Sequence, residues 1–336
     1  MLITPANLSL FFSTLETRFW TAYEVAPVWH DSIATMYNAS SEQFVSGWIG
    51  MLDKYRIWAG PRVTHQPAPQ TYTVQIQNFE LTEQIDQFKL ADDQFGTFFA
   101  TVPFMGMQAK KVYDYQLRDL LMNQNAQTGA VQNGLDGLTN FNTAHQIDYY
   151  DSSKGTYCND YRGGVSINSI TVGGSFTTNG FNTVWEDMAA RKSESGEALG
   201  LLPDLTMVPP QLKAAAETVL HSTFYAPPQM GTLGSGSGAN AAFVGAMENP
   251  LKGWTDLAVN PDLSANASDW FMFVTKGPIK PLGIALREAP NFVYRVSPED
   301  PVVFDRHTFL YGSYTRFAPM WGFAWLSSIS GPTAGA

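Results

Sequence analysis

Residues 92–122 read DDQFGTFFATVPFMGMQAKKVYDYQLRDLLM and contain the longest helical pattern in the chain. Apolar side chains recur along this segment every three or four residues, as they do on the buried face of an α-helix. The positions of this stripe are Phe98, Val102, Met105, Ala109, Tyr113, Leu117 and Leu120. Asp92-Asp93 predicts the N-cap of the helix, and Pro103 predicts a bend or a fresh start near Thr101. The segment therefore predicts one long amphipathic helix.

The residues that precede this helix predict an arm and a hairpin. Within residues 1–45, apolar side chains again follow helical spacing. They are Leu8, Phe11, Phe12, Leu15 and Phe19. Residues 71–77, TYTVQIQ, alternate polar and apolar side chains, which predicts a half-exposed strand on one side of a long hairpin.

The residues that follow the long helix predict a mixture of helices and strands. Thr183-Val184-Trp185-Glu186 has the spacing of a capping box, which predicts a helix that ends near Gly196 or Gly200. Pro209-Pro210 predicts the start of another helix. Apolar runs predict strands at residues 164–167, 205–208, 270–274, 284–286, 292–296 and 309–328. This order, without an obvious linker, predicts an α+β fold with closely packed subdomains.

The composition is rich in aromatic residues and poor in charge. Hydrophobic residues make up 44% of the 336 residues and charged residues 15%, with 22 Phe, 14 Tyr and 9 Trp. Such a composition indicates either a large aromatic core or a surface that is buried against other molecules. The net charge of −10 argues against a protein that reads nucleic-acid sequence, which would present a basic face. It is compatible with a container whose inner wall does not adhere to packed DNA.

The cysteine content and the N-terminal sequence indicate an intracellular protein without disulfides. Cys158 is the single cysteine, so we expect a small, inert residue and no intrachain disulfide. The first 20 residues lack the basic and apolar regions of a secretory signal. The longest apolar runs are far shorter than a membrane span.

The sequence contains no motif that predicts a catalytic, cofactor or metal site. It has neither a phosphate-binding GxxxxGK[ST] motif nor a GxSxG nucleophile motif. Its five histidines lack metal-ligand spacing, and residues 260–269 lack the glycine and the terminal glutamate of a calcium loop. We interpret several basic residues as parts of solvated faces. They are Arg62, Lys110, Lys111, Arg191 and Lys192. We therefore expect a protein that is not an enzyme and has no cofactor.

Six stretches, in order along the chain, resemble the Mu-like bacteriophage major head subunits, which have the HK97-type capsid fold. Three of these stretches lie in the first half of the chain. The first is Leu2-Ile3-Thr4-Pro5-Ala6, and the second runs from Tyr37-Asn38 through Gly47-Trp48-Ile49-Gly50. The third is Phe79-Glu80 followed by Ile85 and Asp92-Asp93-x-x-Gly96. The second half contains Leu199-Gly200-Leu201-x-Pro203 with Val208-Pro209, Pro278-Ile279-Lys280-Pro281-Leu282, and Phe309-Leu310-Tyr311-Gly312 with Trp321-Gly322-Phe323. Residues 125–180 and 226–255 show little resemblance.

The resemblance implies a specific division of the chain. Residues 1–45 would be an N-terminal arm and residues 46–92 an extended hairpin loop. Residues 93–200 would form a peripheral domain around a long spine helix, and residues 201–300 an axial domain. Residues 301–336 would return to the peripheral domain as C-terminal strands.

The resemblance also implies a function in assembly. The chain would form hexamers and pentamers of an icosahedral shell that encloses double-stranded DNA, without sequence-specific binding and without a membrane. Its partners would be a portal protein, a separate scaffolding protein and a possible decoration protein. It would assemble in the host bacterial cytoplasm and remain in the virion.

Two groups of aromatic and apolar residues are candidates for contacts between subunits. Those on the arm are Phe11, Phe12, Phe19 and Trp20, and those near the hairpin are Trp48, Tyr55, Ile57 and Trp58. We expect some of them to become buried only on assembly.

Three other hypotheses remain open at this point. The same fold builds encapsulin-like nanocompartments, which hold a guest protein in place of DNA. An aromatic, acidic chain is also compatible with a secreted carbohydrate-binding protein or glycoside hydrolase, which needs two carboxylates in an aromatic cleft. A tail-tube subunit is a third alternative, although such subunits are typically shorter.

Overall fold

The computed structural model describes residues 4–48, 60, 70–92, 96–122, 133–148, 151–167, 169–225, 247–297 and 299–332. Its backbone divides into two compact units. The first unit consists of Met1–Trp48, Gln70–Leu135 and Leu282–Gly322, and the second of Ile49–Pro69, Asp136–Pro281 and Phe323–Ala336. Residues 136–200 group with the second unit and residues 282–300 with the first, and the division into arm, hairpin loop, peripheral domain and axial domain stays a prediction.

The helices and strands alternate along most of the chain. The helices are α1 (Pro5–Val25), α2 (His30–Ile33), α3 (Gln87–Asp92), α4 (Thr97–Met122), α5 (Thr178–Ala189), α6 (Lys213–Leu220) and α7 (Pro301–Arg306). The strands up to residue 172 are β1 (Ala34–Asn38), β2 (Gln43–Trp48), β3 (Gln70–Gln75), β4 (Gln77–Asp86), β5 (His145–Gln146), β6 (Thr156–Tyr157), β7 (Val165–Ile167) and β8 (Ile170–Val172). The later strands are β9 (Leu205–Val208), β10 (Phe224–Tyr225), β11 (Met247–Glu248), β12 (Asp256–Val259), β13 (Trp270–Phe273), β14 (Leu282–Arg295), β15 (Thr308–Trp321) and β16 (Ser327–Ser330).

Helix α1 confirms the helical spacing predicted for the arm. Thr4 caps it, because its hydroxyl accepts a hydrogen bond from Asn7 N and Pro5 occupies the first turn. At the other end, Lys110 Nζ donates to the carbonyl of Glu24 at 3.1 Å, which satisfies one of the free C-terminal carbonyls. The predicted stripe from Leu8 to Phe19 faces inward and is buried.

Helix α4 confirms the long helix but begins later than predicted. Asp92 is the last residue of α3, whose N-terminus is capped by Asp86, and α4 begins at Thr97, immediately after Gly96 with a φ of +66°. The prediction that Asp92 starts the long helix is therefore wrong. The predicted fresh start near Thr101 is absent, since α4 continues through Pro103. Proline removes one hydrogen bond near the start of the helix, and the packing of α4 within the first unit outweighs this loss.

The sheet of the first unit has the order β1-β14-β15-β4. The long strands β14 and β15 are antiparallel, and their register shifts between Leu286 and Asn291. The two strands predicted at residues 284–286 and 292–296 are thus one strand with an irregularity at Pro290, where proline cannot donate to the ladder. Apolar side chains of this sheet, such as Phe292 and Phe309, form one core with α1 and α4.

Helices α1 and α4 pack closely at Gly106. A Cβ atom at this position would lie 2.3 Å from the carbonyl oxygen of Phe19 and 3.3 Å from the Cβ of Ala22. Both distances are shorter than normal contacts, and the shorter one involves backbone that cannot rotate away. Only glycine therefore fits between the two helices at this point.

We expect Gly106→Ala to destabilise the protein by about 1–3 kcal/mol, the cost of overpacking a core. Helix propensity alone predicts the opposite sign, since alanine in a helix interior is about 1 kcal/mol more favourable than glycine. The free energy of unfolding in urea decides between the two effects. A stabilised variant would show that α1 and α4 do not meet at this position.

The second unit contains a sheet with the order β12-β9-β13-β16. Strand β9 confirms the strand predicted at residues 205–208, and all four of its residues are buried. Helices α5 and α6 contribute Phe181, Val184 and Leu220 to the same core as Trp270 of β13. Among the described residues, this core shares no member with the core of the first unit.

Helix α5 is shifted relative to the prediction. Its N-cap is Thr177, whose hydroxyl accepts a hydrogen bond from Gly180 N at 3.0 Å. Thr183 lies inside the helix, where its hydroxyl donates to the carbonyl of Asn179 at 3.0 Å. The helix ends at Ala189, and Gly196, with a φ of +81°, lies in the turn of a small hairpin closed by the bridge between Lys192 and Ala198. The predicted limits of this helix were therefore wrong, because an earlier threonine supplies the cap.

Arg191 is a buried residue and not part of a solvated face as predicted. Its side chain is 4% exposed. The guanidinium donates to the carbonyls of Trp325 at 2.7 Å and Cys158 at 3.0 Å, and to the hydroxyl of Ser328 at 2.7 Å. It therefore joins the segment after α5 to the β5–β6 region and to the C-terminal strand β16.

Candidate assembly surface

The phenylalanines predicted as arm contacts are buried within the chain. Phe11 lies 5.0 Å from Phe99 of α4, Phe12 stacks on Tyr294 of β14 at 5.0 Å, and Phe19 lies 5.1 Å from Phe292. Phe12 and Phe19 have no exposed surface. In this conformation these rings stabilise the first unit, and their role in contacts between subunits stays a prediction.

The other predicted contact residues are half-buried or lie outside the described residues. Trp20 is half-buried and meets the edges of Phe19 and Tyr23 at 5.1 Å and 5.5 Å. The backbone of Trp48 ends β2, but its side chain is not described, and Tyr55, Ile57 and Trp58 lie outside the described residues. Their contact role stays a prediction.

The outward face of α1 carries exposed apolar and threonine side chains, bordered by the exposed charged residues Arg18 and Glu24. Leu10 and Val25 near its two ends are 70% and 74% exposed. Between them, Thr14, Thr17 and Thr21 donate their hydroxyls to carbonyls four residues earlier, at 2.8 Å, 3.0 Å and 2.9 Å. Because these hydroxyls donate inside the helix, the three threonines present mainly their methyl groups. Sequence reasoning missed this face, although the Leu10-Thr14-Thr17-Thr21 spacing is a detectable helical stripe.

Strand β4 forms one edge of the sheet in the first unit. It pairs with β15 over ten residues, and no other described strand pairs with its outer side. Leu81 on this edge is exposed beside Glu80 and Glu83. An exposed edge of this length can pair with another chain, and the acidic side chains limit such pairing to complementary partners.

An apolar groove of about 630 Å³ lies between the start of α1 and α7. Its lining includes Thr4, Leu8, Tyr294, Val303 and Phe304, and none of its described lining residues is Asp, Glu, Lys or Arg. Phe304 of α7 is 74% exposed, whereas the neighbouring Val303 is buried. We name this feature the α1–α7 groove. In the sequence, this groove is indicated by the run Pro301-Val302-Val303-Phe304, which follows the capping residue Asp300. The run has more apolar residues than one buried helix face requires.

The second unit exposes its own apolar residues. Ile170, Leu202 and Phe224 are exposed, and Trp254 is exposed beside the ring of Trp185 at 4.7 Å. Exposed apolar side chains therefore occur on both units, which fits a protein that buries surface against other molecules.

The polar clusters of the described residues form structural contacts. His30 Nδ1 lies 2.7 Å from Asp114 Oδ1, and Asp114 also accepts the backbone N–H of His30, so the pair holds α2 against α4. His145 contacts Asp136 and, through Nε2, the carbonyl of Asn140 at 3.0 Å. Burial raises the pKa of the Cys158 thiol to about 11, which makes it a poor nucleophile.

No described group has the geometry of a metal centre. Among residues 4–332, as far as they are described, no three His, Cys, Asp or Glu side chains are grouped so that they could hold a metal ion. No described helix combines the length and the hydropathy that a membrane span requires.

The buried pair of Asp136 and His145 predicts a pH dependence of stability. Burial raises the pKa of Asp136, but the hydrogen bond and charge of His145 and two backbone hydrogen bonds outweigh it and hold the pKa below its ordinary 3.8. A carboxyl group whose pKa is lower in the folded state contributes stability above the unfolded pKa and loses it as pH falls through the folded value. We therefore expect the free energy of unfolding to decrease below about pH 4, and to decrease less in Asp136→Asn. An unchanged pH dependence in this variant would contradict the assignment.

The family model and the curated relative point to the same family. The family model of the Mu-like prophage major head subunit gpT matches residues 8–169 and 250–331. The major capsid protein of Escherichia phage Mu is 27% identical over 156 residues, which are 46% of this chain and 49% of that protein. The chain thus spans about half the length of the curated relative that it matches.

The solved structures show the fold. The procapsid of bacteriophage JBD30 matches with a TM-score of 0.55 and 19% identity, over 99% of this chain and 77% of that chain. The bacteriophage JBD30 capsid matches with a TM-score of 0.50 and 14% identity, over 98% of this chain and 73% of that one. Because the family model covers more than two thirds of the residues and reaches into both units, the chain belongs to the Mu-like prophage major head subunit family and has the HK97-type capsid fold.

Proposed function

We propose that this chain is the major capsid protein of a tailed bacteriophage and acts as a structural subunit, not as an enzyme. The observation that carries the proposal is the family match, which includes most of α1, all of α4 and the sheet strands in the first unit, and the C-terminal strand β16 in the second. The exposed apolar surfaces on both units give a physical reason for assembly.

The subunits would meet through different surfaces on neighbouring copies. Repeated contacts of this heterologous kind close into rings, which would give hexamers and pentamers of an icosahedral shell. The α1 face, the β4 edge and the exposed residues of the second unit are the surfaces that support this arrangement. Residues 46–92 include the predicted hairpin loop, which would reach a neighbouring subunit.

The further partners follow from the same proposal. A portal protein, a separate scaffolding protein and possible decoration proteins would bind the shell, which would form in the host bacterial cytoplasm and persist in the virion. The packaged double-stranded DNA would be enclosed without sequence-specific binding, and the net charge of −10 supports a wall that does not hold DNA tightly.

Sedimentation of the expressed protein tests this proposal. The chain is expressed with its neighbouring genes, and large particles are separated and treated with nuclease. Particles that protect DNA support the phage head, whereas particles that contain a guest protein and no DNA favour a nanocompartment. A chain that stays monomeric with those genes present would contradict both forms of shell.

A further inference from the structure

The chain contains two Asn-Gly pairs, Asn133-Gly134 and Asn179-Gly180. In such a pair the side-chain amide of asparagine lies near the backbone nitrogen of the next residue, and glycine has no Cβ atom that would hinder their approach. Asparagine is one of the thermolabile residues for this reason. Both asparagines are exposed and both glycines are buried, so the two pairs differ mainly in their backbone structure.

The pair Asn179-Gly180 is held in the first turn of α5. Gly180 N donates to the hydroxyl of Thr177 at 3.0 Å, and the carbonyl of Asn179 accepts the hydroxyl of Thr183 at 3.0 Å. A Cβ atom at Gly180 would lie 2.6 Å from the carbonyl oxygen of Ser175, so the packing around this glycine is tight. Gly180 N is therefore engaged, and it reacts with the Asn179 side chain only after α5 opens locally.

The pair Asn133-Gly134 lies outside the helices and strands, between α4 and β5. Within the described part of the chain, neither residue forms a hydrogen bond or an ion pair. No hydrogen bond has to break before Gly134 N reaches the side-chain amide carbon of Asn133. This pair can therefore react without a prior opening of secondary structure.

We propose that Asn133 is a site of spontaneous deamidation in which water is the only co-reactant. Gly134 N loses its proton to the solvent and attacks Asn133 Cγ, so that an N–Cγ bond forms and the Cγ–Nδ2 bond breaks. The departing nitrogen takes up a proton and leaves as ammonia, and the product is a cyclic imide. Water then opens the imide at the side-chain carbonyl, which gives aspartate, or at the main-chain carbonyl, which gives isoaspartate. No atom is oxidised or reduced.

The modification changes both the charge and the backbone of this segment. A carboxylate replaces the amide, so a modified chain is one unit more negative than the −10 of the unmodified chain. In the isoaspartate form, the main chain runs through Cβ and Cγ of residue 133 and gains one atom, three residues before Asp136. The inference goes beyond the function proposed above and does not depend on it, because it concerns a single chain.

Peptide mass spectrometry of the full chain tests the proposal. The folded protein is kept at mildly alkaline pH in water enriched in heavy oxygen, so that each deamidated residue is labelled. We expect residue 133 to become a mixture of aspartate and isoaspartate at least about tenfold faster than residue 179, because α5 has to open before Gly180 N reacts. Asn133→Gln should stay unlabelled at this position, since its longer side chain forms the corresponding ring much more slowly.

The same measurement in urea is the matched control. Both Asn-Gly pairs are then in an open chain, and we expect the two rates to become similar because the rate at Asn179 increases. Equal rates at Asn133 and Asn179 in the folded protein would show that the two backbones do not differ in reactivity. Conversion of Asn133 only after unfolding would show that the fold keeps Gly134 N away from the amide carbon. Either result overturns the proposal.

Discussion

Phe12→Ala is expected to destabilise the unassembled subunit by about 3–5 kcal/mol, the usual cost of removing a buried aromatic ring. Phe12 has no exposed surface, stacks on Tyr294 at 5.0 Å and meets the edge of Phe309 at 6.1 Å. The cavity left by the substitution lies between α1 and the sheet, where both sides are held by other contacts and cannot collapse fully. Urea unfolding of the subunit below the concentration for assembly measures the loss.

Leu10→Ala is the matched control for Phe12→Ala. Leu10 lies on the same helix but is 70% exposed, so its removal should change the free energy of unfolding by no more than about 0.5 kcal/mol. We expect this variant instead to weaken association between subunits. If Phe12→Ala behaved like Leu10→Ala and affected only association, the arm would be an interface and not part of the core.

Arg191→Met is expected to cost at least about 3 kcal/mol, because each buried polar group left without its partner costs about 1–3 kcal/mol. Methionine approximately fills the space of arginine but donates no hydrogen bond. The carbonyls of Trp325 and Cys158 and the hydroxyl of Ser328 would then lose their donor. We expect the second unit to unfold at lower urea concentration, with β16 exchanging its amide hydrogens first.

Two variants separate this effect from a general loss of charge. Lys192→Met removes a positive charge from the exposed neighbouring residue and should change stability by less than about 0.5 kcal/mol. Arg191→Lys keeps the charge but cannot reproduce the planar donor geometry, so an intermediate loss is expected. Equal stability of Arg191→Met and the wild type would show that the guanidinium does not hold these segments together.

The sequence was sufficient to predict a helix or strand where a single apolar pattern faced one core. The stripes of α1 and α4 and the buried run of β9 were predicted because apolar periodicity records which side of an element is buried. Element ends were less predictable, since Asp86, Asp92 and Asp93 all resemble caps and only the backbone path at Gly96 decides among them. For the same reason Thr177 and Thr183 could not be distinguished as the cap of α5.

Long-range contacts explain the remaining differences. Arg191 resembled a surface residue because its acceptors, Cys158, Trp325 and Ser328, are distant in sequence. The arm phenylalanines carried the same spacing whether they packed on another subunit or on α4, and periodicity does not identify the partner. The resemblance to a capsid family predicted the fold, while the residues of the assembly surface depended on which apolar side chains the folded chain leaves exposed.

Electron microscopy of the protein expressed with its neighbouring genes tests the central claim most directly. A head subunit should form closed icosahedral shells, or rings of five or six copies, with the first and second units repeated around each ring. Single, monodisperse subunits that are folded, as shown by a cooperative urea transition of the same sample, would contradict the assignment as a shell protein.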